Sequence, residues 1–141
     1  MKHNLNRFIL AQEKSYEVAL SEIKSGQKKS HWIWYIFPQI KGLGFSENAI
    51  FYEIKSKEEA QNYLKDSILG ERLKEISGEL LNLNENNPTK ILGYPDDLKL
   101  KSSMTLFSII DETKDNVFNK VLEKFYEGIT CQKTISILKQ L

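Results

Sequence analysis

A chain of 141 residues with 20 basic and 19 acidic side chains has length enough for one core, and lacks the strong basic excess of a dedicated nucleic-acid binder. A single cysteine, Cys131, excludes an intramolecular disulfide and any four-cysteine zinc framework, and fits a reducing, cytoplasmic setting. No apolar run approaches the ~18 residues of a membrane span, and no apolar stretch follows the charged N-terminus, so neither a transmembrane helix nor a signal peptide is expected.

Residues 5–24 carry Leu5, Phe8, Ile9, Tyr16, Ala19, Leu20 and Ile23 at spacings of three and four, the period of a helix with one buried face. Asn4 is expected to cap its start, and Gly26 follows its end. Gln12 falls inside the apolar stripe; a buried amide left unpaired costs roughly 1–3 kcal/mol, so it either bonds neighbouring backbone or points at a ligand. The run Ser30-His31-Trp32-Ile33-Trp34-Tyr35-Ile36-Phe37-Pro38-Gln39 holds both tryptophans and belongs to the core, to the wall of a pocket, or to both. It is read as a short buried helix with Ser30 as its cap and Pro38 as its limit. Lys41 to Phe45 form a loop whose two glycines lack the Lys-Ser/Thr ending of a P-loop.

Residues 46–54 suit a turn or short helix presenting Ile50, Phe51 and Ile54. Ser56 and Glu59 make a capping box that opens a helix to about Lys65. Leu69, Leu73, Ile76, Leu80 and Leu83 step by four, three, four and three along the next one. Residues 84–87 read as a solvated loop, and Gly93 to Asp97 as a turn into a helix capped by Asp96. Residues 98–101 alternate briefly like a strand, but 102–110 continue as a buried helix rich in small hydroxyls. Asp115 is expected to cap a helix that Gly128 ends, and Thr130 to open the last one, carrying Ile135, Leu138 and Leu141. The expected fold is all-α: one domain over residues 1–141, an irregular bundle of six to eight short helices.

Several residue types invite chemistry. His31 is a general acid or base matched to neutral pH, or else a satisfied core histidine. Ser102 or Ser103, His31, and Asp96 or Asp97 supply the types of a hydrolase triad, and Lys99 lies one turn from Ser102, but no Gly-x-Ser-x-Gly elbow is present. The helix start near Asp96, with Lys99, Ser102 and Ser103, suits an anion unless Asp96 occupies the free amides. Trp32, Trp34 and Tyr94 could stack a planar ring or simply be core. Lys24, Lys28, Lys29 and Lys41 read as a solvated cluster. Cys131, at a helix start, reads as a spectator. The second histidine, His3, lies at the terminus, so no metal is expected, and no motif calls for a cofactor.

Taken with Gln12, Gly42-Leu43-Gly44 and Leu69-Gly70-x-Arg72-Leu73, the strings Ser30 to Gln39 and Pro95-Asp96-Asp97-Leu98-Lys99-Leu100-Lys101-Ser102-Ser103-Met104-Thr105-Leu106-Phe107 resemble the Domain of Unknown Function 1810 family over about Arg7 to Leu141. The resemblance implies a mainly helical single domain found in bacteria and carries over no activity and no catalytic residue. It directs attention to polar residues that packing alone would not demand: Gln12, His31, Gln39, Asp97, Lys99, Ser102 and Ser103. Joined by Trp34, these make a candidate site for an anionic or nucleotide-like metabolite, for binding with or without catalysis, between residues 30–39 and the helix near 96. The alternative is a protein- or nucleic-acid-binding module whose aromatic segment is exposed and rimmed by lysines. A blander reading gives the polar string to buried backbone alone. Oligomeric state is not legible from near-zero net charge.

Overall fold

The apolar periods resolve into helices in the computed structural model, which describes residues 4–141. In chain order these are α1 (Asn6–Lys24), α2 (Ile33–Ile36), α3 (Glu47–Phe51), α4 (Lys57–Lys65), α5 (Leu69–Leu81), α6 (Pro88–Leu92), α7 (Asp96–Ile110), α8 (Val117–Tyr126) and α9 (Gln132–Gln140). The fold is all-α, with nine helices among the described residues rather than six to eight. The unforeseen one is α6. It has only five residues and no apolar period, but Asn87 caps it by accepting from Thr89 N at 2.9 Å, and Pro88 sits where no N–H is needed. Among the described residues no strand forms, and residues 98–101 are helical; one isolated parallel bridge joins Ile40 and Ile54. No helix among them is long and apolar enough to cross a membrane.

α7 runs through the centre, packed against α8, α4, α6, α9 and α2. Leu100 and every residue from Ser102 to Phe107 are buried, as expected of a helix apolar on most sides. A line of rings crosses the core from α1 to α8: Phe8 to Tyr63 at 5.0 Å, Tyr63 to Phe107 at 5.4 Å, and Phe107 to Phe118 at 5.8 Å. α4 and α5 meet so closely that a Cβ on Gly70 would lie 2.1 Å from the Leu64 carbonyl oxygen. A buried ion pair, Arg7 to Glu59 at 2.9 Å, ties α1 to α4, and Arg7 also donates to the carbonyls of Phe51 and Glu53.

Several expected caps are corrected. α1 starts after Leu5 with no side-chain cap, while the Asn4 carbonyl accepts from Arg7. Asn116, not Asp115, caps α8, accepting from Asn119 N at 2.9 Å, and Cys131, not Thr130, precedes α9. Ser56 accepts from Glu59 N, but the Glu59 carboxylate takes Lys55 N as well as Arg7. Ile50 and Phe51 are exposed while Ile54 is buried.

Candidate functional site

The surface between residues 28–34 and the start of α7 is organised by Glu22, in the last turns of α1. Its carboxylate accepts from Lys29 N at 2.8 Å, Ser30 N at 3.0 Å, the Ser30 hydroxyl at 2.6 Å and the Trp32 indole N–H at 2.8 Å. Burial alone would raise this carboxyl; the four donors overcome that and hold it at about 2. Ser30 is therefore spent on Glu22 and does not cap α2, which begins after Trp32 without a side-chain cap.

Loop 28–32 delivers Lys28 to Asp96. Lys28 Nζ lies 2.9 Å from Asp96 Oδ2, and Lys99 Nζ lies 3.3 Å from Asp96 Oδ1. The Lys28 side chain is only 7% exposed and the Lys99 side chain 24%, so the first ammonium is enclosed and the second reachable. Each lies against an indole: Lys28 Nζ 5.1 Å from the Trp32 ring centre, and Lys99 Nζ 5.4 Å from that of Trp34. Two cations thus share one carboxylate at the junction of the two strings singled out in the sequence. Asp96 is the first residue of α7 and not its cap, and the next three α7 amides are used. Asp97 N donates to Gly93 O, Leu98 N and Lys99 N donate to Pro95 O, and Leu98 N also reaches Asp97 Oδ1. An anion on this surface would meet lysine side chains rather than a helix terminus.

The other singled-out residues divide. His31 is exposed, which corrects the core-histidine reading, whereas Trp32 is buried and Trp34 half-buried. Gln39 and Trp34 line, with Tyr52, a cavity of about 10 Å³, room for about one water. Gln12 lies elsewhere in the core, its amide fully used: it donates to Tyr35 O at 2.8 Å and to Tyr63 OH at 3.1 Å, and accepts from Arg72 at 3.4 Å. Asp97 accepts from the Thr89 hydroxyl at 2.6 Å, and its carbonyl from Tyr126 OH at 2.6 Å. Ser102 donates to Leu98 O and lies 3.4 Å from Cys131 Sγ; Ser103 is fully buried and its hydroxyl has no partner. No bond links either serine to His31 or Lys99 among the described residues, so no triad and no Ser–Lys pair is assembled. His3 lies outside the described residues.

The residues that sequence reasoning missed are Glu22 and Lys28. Glu22 sits at the edge of the α1 stripe, three residues after Ala19 and one before Ile23, and position alone does not say that its carboxylate receives a loop ten residues on. Lys28, read as solvated, is the most enclosed cation of the cluster. Of the aromatic segment, Trp32, Ile33, Ile36 and Phe37 are buried, and Trp34 is half-buried.

Comparison with known proteins agrees with this architecture. The family model described as Protein of unknown function (DUF1810) matches residues 2–138. A similar solved structure is that of the conserved hypothetical protein Rv1873 from Mycobacterium tuberculosis, 42% identical, with a TM-score of 0.92 and 96% of each chain covered. Curated proteins give no match. With nearly its full length matched by the family model and its helices superposing on Rv1873, the chain belongs to the DUF1810 family of proteins of unknown function.

Proposed function

We propose that the protein binds a small anionic metabolite, of nucleotide-like chemistry, between residues 30–39 and the start of α7. One observation supports this reading: Asp96 fastens Lys28 and Lys99 side by side, each ammonium against a tryptophan. Two cations and one anion leave a positive charge at the reachable end of the cluster, on Lys99. That charge is already ordered, so a ligand does not bear the full entropy of fixing a long side chain. Tyr94, 76% exposed two residues before Asp96, offers a ring face, and His31 an exposed imidazole. The ligand's phosphate or carboxylate would take Lys99, and its ring Tyr94.

The test is a thermal-shift panel of nucleotides, sugar phosphates, amino acids and dicarboxylates on wild type, Lys99→Gln and His31→Ala. A ligand at a hundred times its dissociation constant adds about 2.7 kcal/mol, a rise of several degrees. The expected result is a rise with one phosphate- or carboxylate-bearing class, abolished by Lys99→Gln in a folded variant. A panel without any rise, or a rise that survives in both variants, overturns the reading. Turnover of the hit that disappears in His31→Ala would make the site catalytic.

A further inference from the structure

Away from the lysine–tryptophan surface, a cavity of about 430 Å³ opens where α4 and α5 meet the end of α7. That volume lies within the roughly 300–1,000 Å³ of small-molecule sites. Leu64 and Ile110, one half-buried and one buried, are the apolar part of its lining. Lys65, in the last turn of α4, and Lys74, inside α5, bring two ammonium groups. Asp111 and Glu112, the two residues after α7, bring two carboxylates. α7 ends here with no basic residue in its last turn, so the partial negative charge of its terminus adds to theirs. The two signs stand apart. Among the described residues no ion pair joins these lysines to these acids, and the side chains of Gln61, Lys65, Lys74 and Glu112 take no hydrogen-bond partner. Asp111 Oδ1 accepts from Thr113 N at 3.0 Å.

We propose that this cavity binds a short peptide with free ends: its carboxylate on Lys65 and Lys74, its ammonium on Asp111 and Glu112, and its apolar side chains against Leu64 and Ile110. The two poles come from different elements, and that selects for length. In a free amino acid the ammonium and the carboxylate share one carbon. A dipeptide carries them at opposite ends, up to about 7 Å apart when extended. The Gln61 amide, which both donates and accepts, suits the peptide link between them. The cavity is separate from the lysine–tryptophan surface, since Lys99 lies near the other end of α7, about 16 Å from Ile110 along a straight helix.

The experiment is a nuclear magnetic resonance titration of the nitrogen-15-labelled chain with leucylleucine at millimolar concentration. Its N-acetyl form, its C-terminal amide and free leucine are titrated alongside. The expected result is a saturable movement of the Gln61, Lys74 and Glu112 amide signals, while those of His31 and Lys99 stay in place. N-acetylation and amidation each remove one charge and should each weaken binding about tenfold, the factor of one charge-assisted hydrogen bond. Free leucine, too short to reach both poles, should bind at least as weakly as either analogue. Lys74→Gln should erase the difference between the peptide and its amide, and Glu112→Gln the difference between the peptide and its N-acetyl form. Both side chains are exposed, so these variants are expected to keep the fold. Lys99→Gln should leave the titration unchanged, which keeps this result apart from the reading of the lysine–tryptophan surface. No movement at the cavity, or analogues that bind as tightly as leucylleucine, overturns the proposal without any variant. Free leucine binding as tightly as the dipeptide overturns it as well, and so do analogue differences that persist in both folded variants.

Discussion

Glu22 is the residue on which the lysine–tryptophan surface hangs, because four donors from loop 29–32 converge on its carboxylate. Its carboxyl lies at about 2, below the ordinary value of about 4.3, so between those values the unfolded chain binds the proton more readily than the native state. The stability it contributes is complete above about pH 4.5 and lost as pH falls towards 2. Glu22→Gln should lower stability at pH 7 by about 1 kcal/mol, roughly 3–4 °C in the melting midpoint, and flatten its decline between about pH 4.5 and 2. Circular dichroism melts at several pH values check this; parallel pH profiles for the two proteins would count against it. Arg7 presents the opposite case, a cation enclosed with its partner. Arg7→Met takes the guanidinium away from the buried Glu59, an expected loss of about 3–5 kcal/mol in urea unfolding, and adding Glu59→Met should recover much of it.

At the scale of elements, two glycines in α5 separate contact from propensity. Gly70 touches the α4 backbone, whereas a Cβ on Gly78 would meet nothing within 4 Å. Gly70→Ala must push α4 from α5 and should cost about 1–3 kcal/mol or more, as overpacking does. Gly78→Ala, in the interior of the same helix, should instead stabilise by up to about 1 kcal/mol. Chemical denaturation of both variants tests the pair, and a loss of the same size in each would show that the Leu64 approach does not govern the α4–α5 contact. α5 was legible from Leu69 to Leu80, since Leu69, Leu73, Ile76 and Leu80 keep the helical step and all are buried, whereas Leu83, the last of the expected stripe, lies past the helix end at Leu81. α6 was not, because five residues carry too little period; its Asn87-Pro88 start was its only mark. The caps at Asp96 and Asp115 failed for one reason. A side chain fit to cap a helix is also fit for other partners, and Asp96 went to two lysines while Asn116, one residue past Asp115, took the α8 amides.

In the whole molecule, the candidate site was half legible. The two strings that carry it stand out by composition, and the lysine–tryptophan surface does lie where residues 28–34 meet the start of α7. Within the strings the polar residues look alike in sequence yet serve different ends. Gln12 and Asp97 satisfy the interior, Ser102 turns to Cys131, Ser103 is enclosed, and Lys99 and His31 face outward or nearly so. The sequence by itself determined the all-α class, the long helices and the apolar faces they bury, since those follow from a period of 3.6 residues and from burial of area, both local properties of the chain. Only the tertiary structure decided which polar groups meet. The Glu22–Trp32, Lys28–Asp96, Arg7–Glu59 and Ser102–Cys131 contacts join residues between ten and sixty-eight positions apart. Hydrogen bonds and ion pairs depend on distances of a few ångströms and on direction, and these exist only once the helices have packed.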